Sequence, residues 1–198
     1  MLIEDCAYIL ILGVFVYAAR FLGVNIRSAN FFVIILTCTA LHIITMSFFV
    51  DVLLVFSTIK ELSKYVAILA FPTKERSVGF GFAIAELVIG RIVYFAILGL
   101  GIVPHGVLAH LSAIILATLV CMMHLITGIL YQALREKGFH SILGFVFSLP
   151  LDIAVYGMIE WAGHLKLTMQ LAVEVSALIV MTAVIWRFAL RLQLYEDC

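Results

Sequence analysis

Twenty-eight consecutive residues, Gly106 to Ala133, contain no Asp, Glu, Lys or Arg. At about 1.5 Å per residue, a helix of that length runs about 40 Å. The hydrocarbon core of a bilayer is about 30 Å thick. The run is one of seven apolar segments cut at charged or Pro/Gly breaks: Cys6–Leu22, Phe31–Phe49, Val52–Phe71, Gly79–Val103, Gly106–Ala133, Ser141–Ala162 and Leu167–Trp186. Of the 198 residues, 65% are apolar and 12% charged, against about 45–50% and about 25% in soluble domains. That excludes a water-soluble globule, a disordered chain, a coiled coil, a collagen-like chain and a disulfide-knotted domain. The expected fold class is all-α: a polytopic integral membrane helical bundle of about seven transmembrane helices, forming a single domain over residues 1–198. The bilayer is its first partner. With 12 basic and 12 acidic residues and no net charge, no basic field invites nucleic acid.

Charge placement predicts orientation. With seven spans, Arg20/Arg27, Lys74/Arg76, Arg135/Lys137 and Arg187/Arg191 fall on one side. The other side receives the acidic N-terminus, the Asp51 turn, the Pro104-His105 turn and Lys166. Positive charge marks the cytoplasmic face, so the N-terminus is expected outside and the C-terminus in the cytoplasm. The third segment, with Lys60, Glu61 and Lys64 in its middle, is least secure by hydropathy but is needed for this alternation. No basic n-region precedes the first segment and no prenylation box ends the chain. Cys6, Cys38, Cys121 and Cys198 lack ligand spacing and are expected to be inert thiols.

Ionisable groups inside a membrane are functional suspects. Counting inward from the basic end of each segment, Glu61, Glu86, His124, Ser148 and Asp152 all fall roughly 10–16 Å deep. Glu61/Lys64, Glu86, His124 and Ser148/Asp152 thus share a layer across four consecutive helices. Two readings fit: a water-filled cavity, or a neutral network in which Lys60, Lys64 and Arg91 pair with Glu61, Glu86 and Asp152. Lys60, near mid-membrane, is expected to point inward and pair with Glu86 or Asp152. His42 reads as a packed, hydrogen-bonded histidine; His105, His110, His140 and His164 as solvated; Glu160 and Glu174 as helix-pairing groups. Trp161 and Trp186 read as interfacial anchors. The glycines of the fourth span, among them Gly79 and Gly81, allow close helix approach.

The same residues carry a pattern. Lys60-Glu61-Leu62-Ser63-Lys64, then Gly79-Phe80-Gly81-Phe82-Ala83-Ile84-Ala85-Glu86, then His124 with Gly128, then Ser148 with Asp152, resemble the PrsW-type intramembrane proteases. Those belong to the wider superfamily of CAAX prenyl proteases and bacteriocin-processing membrane proteases. The family shows EExxK, GxGFAxxE, HxxxG and HxxxD on successive helices. The second and third motifs are whole here. The first has Lys60 where a leading Glu is expected, and the fourth has Ser148 where a His is expected. The resemblance covers roughly residues 53–157.

What the resemblance implies is hydrolysis of a peptide bond near a membrane boundary, in a prokaryotic plasma membrane. The substrate would be a single-span membrane protein or a lipidated peptide. Glu61 or Glu86 would be the base and His124 its partner. Ser148 and Asp152 would occupy the oxyanion side, with Lys60 and Lys64 modulating. Some members are described as metalloproteases and others as glutamate proteases, so a divalent metal such as zinc on Glu61, Glu86 and His124 stays open. So does a chain that kept the fold and lost the chemistry; a γ-secretase scaffold subunit looks like a distant relative of that kind. A small transporter subunit using the polar layer is a third reading, to which Pro150 contributes by freeing a backbone carbonyl.

Overall fold

The computed structural model describes residues 13–14, 17, 23–25, 29–47, 53–99 and 107–196. The first apolar segment is almost entirely outside these residues, as are Cys6, Arg20, Arg27, Asp51, Pro104, His105, Cys198 and the side chain of Arg91. Among the described residues the chain is all-helical, with α1 Ala29–Ser47, α2 Leu53–Ala70, α3 Glu75–Gly99, α4 Val107–Glu136, α5 Ser141–Gly163 and α6 Leu167–Glu196. Three of these, α4, α5 and the 167–187 part of α6, are long and apolar enough to cross a membrane. Helix α2 carries Lys60, Glu61 and Lys64, and all three are buried, so its charges turn inward rather than to lipid. The surface is apolar in return. Phe32, Ile92 and Ile179 are each more than 60% exposed, a distribution suited to lipid and not to water. Trp161 is exposed near the end of α5, whereas Trp186, expected at a span end, is exposed within α6, which continues to Glu196.

Helix boundaries follow the local chemistry. Helix α2 stops at Ala70, two residues before Pro72, which cannot continue it. Helix α3 starts at Glu75, four residues ahead of the expected Gly79, because its first turn is polar and projects beyond the apolar stretch. Helix α4 ends in a Schellman motif. Gly138 takes φ +77°, its N–H bonds Arg135 O at 2.8 Å, and Phe139 N bonds Leu134 O at 3.0 Å. His140, expected to be merely solvated, is the N-cap of α5, where its Nδ1 accepts from Ile142 N at 3.3 Å.

Two glycine contacts set the centre of the bundle. A Cβ on Gly79 would lie 2.6 Å from His124 O and 3.0 Å from Gly128 Cα. One on Gly128 would lie 2.7 Å from Glu75 O. Helices α3 and α4 therefore cross backbone to backbone, as small residues permit. On its other side α3 meets α1, where a Cβ on Gly81 would lie 2.9 Å from Cys38 Sγ. Helix α2 packs on α5, and α4 packs on both α5 and α6. Cys38 and Cys121 are buried free thiols.

Candidate functional site

Helical periodicity brings the polar groups inward. On α2, Ser57, Lys60, Glu61 and Lys64 occupy one stripe, and all four are buried. On α5, Ser148, Asp152 and Tyr156 recur every fourth residue. On α3, Glu86 lies seven residues, about two turns, beyond the Gly79 crossing. On α4, His124 lies one turn before Gly128. The crossing of α3 and α4 therefore brings Glu86 and His124 together.

These residues form two linked networks. Between α2 and α5, Ser148 Oγ donates to Glu61 Oε2 at 2.5 Å. Lys64 Nζ donates to Glu61 Oε1 and, at 3.4 Å, to Asp152 Oδ1. The second network centres on Glu86. Lys60 Nζ donates to Glu86 Oε2 at 2.9 Å and also to the Tyr156 hydroxyl. Its ammonium stands 4.4 Å from the Tyr156 ring centroid and 5.8 Å from that of Phe56, within cation–π range. His124 Nε2 lies 3.5 Å from the same Glu86 oxygen, and so does His42 Nε2, though not aimed for a hydrogen bond. Lys60 and Glu61 are chain neighbours, and Asp152 and Tyr156 are one turn apart, so α2 and α5 join the two networks.

Lys60 thus takes Glu86 as partner, one of the two acids anticipated for it. Glu86 and His124 meet in one network, whereas Glu61 bonds Ser148 and Lys64 in the other. The groups are deeply buried: Glu61, His124, Ser148 and Asp152 have no exposed surface, and the Glu86 side chain keeps 16%. His124 Nδ1 and Asp152 Oδ2 make no hydrogen bond. Sequence reasoning missed Tyr156; His42, expected to be packed and hydrogen-bonded, is packed, but neither ring nitrogen makes a hydrogen bond. His42 stands one turn after Cys38, which faces Gly81, and Tyr156 one turn after Asp152. The spacing from Asp152 would have put Tyr156 on the inner face, whereas nothing in the sequence marks Cys38 or His42 as inward.

A second buried group lies between α4 and α6. Ser112 Oγ and Gln170 Nε2 each donate to Glu174 Oε1 at 2.8 Å, and Gln170 Nε2 also reaches Ser112 Oγ at 3.0 Å. Glu174 is fully buried and ties the two helices together.

The donor set does not suit a metal ion. Among the described residues no three His, Cys, Asp or Glu side chains are disposed to hold one. Of the set considered for a metal, Glu61 is bonded by Lys64 and Ser148, and Glu86 Oε2 is held at 2.9 Å by the Lys60 ammonium, which would repel a cation beside it. What the arrangement offers is a carboxylate shared between an ammonium and two imidazoles, with the Tyr156 hydroxyl on the same ammonium; the Ser148 hydroxyl belongs to the Glu61 network. Scans of protein-family models, curated proteins and solved structures return no match to this chain.

Proposed function

We propose that this chain is a membrane-integral peptide-bond hydrolase of the PrsW type, with Glu86 and His124 as its proton-transfer pair. The reading includes seven spans, the N-terminus outside and the C-terminus in the cytoplasm, in a prokaryotic plasma membrane. The observation that supports it is the approach of His124 Nε2 to Glu86 Oε2, 3.5 Å, inside a buried layer. In that reading Glu86 takes a proton from water and His124 holds the water or passes the proton on. The Tyr156 hydroxyl, which accepts from Lys60 and keeps its own proton to give, supplies a donor toward a developing oxyanion. The substrate is a peptide bond near the membrane boundary, in a single-span protein or a lipidated peptide.

One observation favours a second reading, a non-catalytic scaffold or binding protein of the same fold. Lys60 Nζ already occupies Glu86 Oε2 at 2.9 Å, and an occupied carboxylate is a poor base. Cleavage of a single-span membrane substrate by wild type, Lys60→Glu and His124→Ala separates the two. Wild-type cleavage abolished by His124→Ala supports the hydrolase and frees Lys60 of blame. Cleavage by Lys60→Glu alone supports a hydrolase held silent by its lysine. No cleavage by any of the three favours the scaffold.

A further inference from the structure

A cavity of about 210 Å³ opens at the basic end of the bundle, away from the polar layer. Its walls are Gly23 and Asn25, the start of α1 at Asn30, the residues Lys74, Arg76 and Ser77 that open α3, and Gln132 of α4. The side chains that line it are rich in donors: an ammonium, a guanidinium, amides and a hydroxyl. The neighbouring acids are engaged elsewhere. Glu75 Oε1 pairs with Arg135 Nε at 2.5 Å. Glu136 Oε1 accepts from Gln132 Nε2 at 2.5 Å, so Gln132 contributes least to the cavity.

Two further features make this a place for an anion. Val78 N bonds Lys74 O at 2.9 Å, the first helical bond of α3, so Lys74 is the cap residue. A lysine cap has no side-chain acceptor for the first-turn N–H groups, and the positive end of the helix dipole faces the same wall. Arg76 is held beside the backbone of Gly23, where a Cβ would lie 3.2 Å from its Nη1. A guanidinium has five N–H donors in a fixed fork, enough to serve a neighbour and a tetrahedral oxyanion together.

We propose that this cavity binds a phosphate group, presented either by an anionic lipid headgroup or by free phosphate. Arg matches phosphate oxygens in pairs and Lys adds a point charge. The basic ends of membrane bundles face the leaflet in which anionic lipids concentrate. The lipid source rests on the membrane orientation of the proposed reading, and the site uses none of its hydrolytic chemistry.

The test uses the full chain. Thermal unfolding in detergent is followed with sodium phosphate against sodium chloride at matched ionic strength. Lipid retention is read by native mass spectrometry after reconstitution in phosphatidylglycerol/phosphatidylcholine nanodiscs. Lys74→Gln, at an exposed position, leaves the fold intact and is expected to weaken binding about fivefold, as is Arg76→Gln. Asn30→Ala with Ser77→Ala keeps both charges and is expected to weaken it less. Lys137→Gln, exposed on the α4–α5 turn and outside the cavity, is expected to bind as wild type does. Preferential phosphatidylglycerol retention, lost in Lys74→Gln, supports the site with lipid as the source. Stabilisation by phosphate, lost in the same variant, supports it with the free anion as the source. Equal losses in Lys74→Gln and Lys137→Gln, or no response to either probe, overturn the proposal.

Discussion

Replacing Gly79 with Ala tests the crossing on which the Glu86–His124 approach depends. The added methyl would stand 2.6 Å from His124 O, about 0.8 Å inside ordinary contact, and 3.0 Å from Gly128 Cα. Both neighbours are backbone, so no side chain can swing aside. Helices α3 and α4 must separate or shift by most of an ångström. Overpacking of this kind costs about 1–3 kcal/mol, and the better helix propensity of Ala returns about 0.5–1 kcal/mol. The net expectation is a loss of about 0.5–2 kcal/mol. Gly163→Ala is the control, because nothing lies within 4 Å of a Cβ there; it is expected to be neutral or slightly stabilising. The assay is equilibrium unfolding in mixed detergent, with far-ultraviolet circular dichroism to confirm helix content. An ångström-scale shift also stretches the 3.5 Å contact of His124 with Glu86, so any cleavage activity should fall further than stability does. If Gly79→Ala proves as stable as Gly163→Ala, the backbone crossing described here is wrong, and with it the reason these two residues meet.

Lys60→Met and Glu86→Gln, singly and together, are expected to be strongly non-additive. Each single change strands a buried partner at a cost of about 3–5 kcal/mol, whereas the double variant removes the charge pair as a unit; additive losses in detergent unfolding would sink the pairing. Glu174→Gln should stay within about 1 kcal/mol of wild type, because a Gln carbonyl accepts the same bonds from Ser112 and Gln170, while Glu174→Leu should lose about 1–3 kcal/mol by leaving those donors unmet. Equal losses for Gln and Leu in the same assay would show that the charge, and not the acceptor, holds α4 to α6.

The all-helical class, with helices long and apolar enough to cross a membrane, was legible because it rests on runs of residues rather than single ones. The run Gly106–Ala133 reads as a buried or lipid-facing helix, and α4 covers it from Val107 onward. The inward turn of α2 was legible as well, since Lys60, Glu61 and Lys64 recur at helical spacing and charge avoids lipid. Less legible was the partition of the polar layer. Depth along an axis places residues in a plane but gives no angle around it, so Glu61 and Glu86 looked like members of one site. The angle comes from packing: α2 lies on α5, which gives Glu61 to Ser148, while α3 lies against α4 and α1, which gives Glu86 to His124 and His42. His42 was read as hydrogen-bonded for the same reason. A lone histidine in an apolar span carries no mark of its neighbours until the opposite helix face is known.

The charge of the layer explains why Lys60 matters more than its position in a motif. Three carboxylates, Glu61, Glu86 and Asp152, face two ammonium groups, Lys60 and Lys64. A Glu at position 60 would leave four carboxylates facing one lysine, an imbalance that low-dielectric surroundings penalise heavily. Such a layer would need protons or a bound cation to exist. Lys60 supplies that neutralising charge from within the chain, at the oxygen where His42 and His124 converge. The same ammonium that offsets part of this charge also occupies Glu86 Oε2. Lys60→Glu therefore changes two things together, freeing Glu86 and removing the internal counter-charge. Lys60→Met frees Glu86 while adding no acid, so comparing the two in the cleavage assay separates occupancy of the base from the charge of the layer.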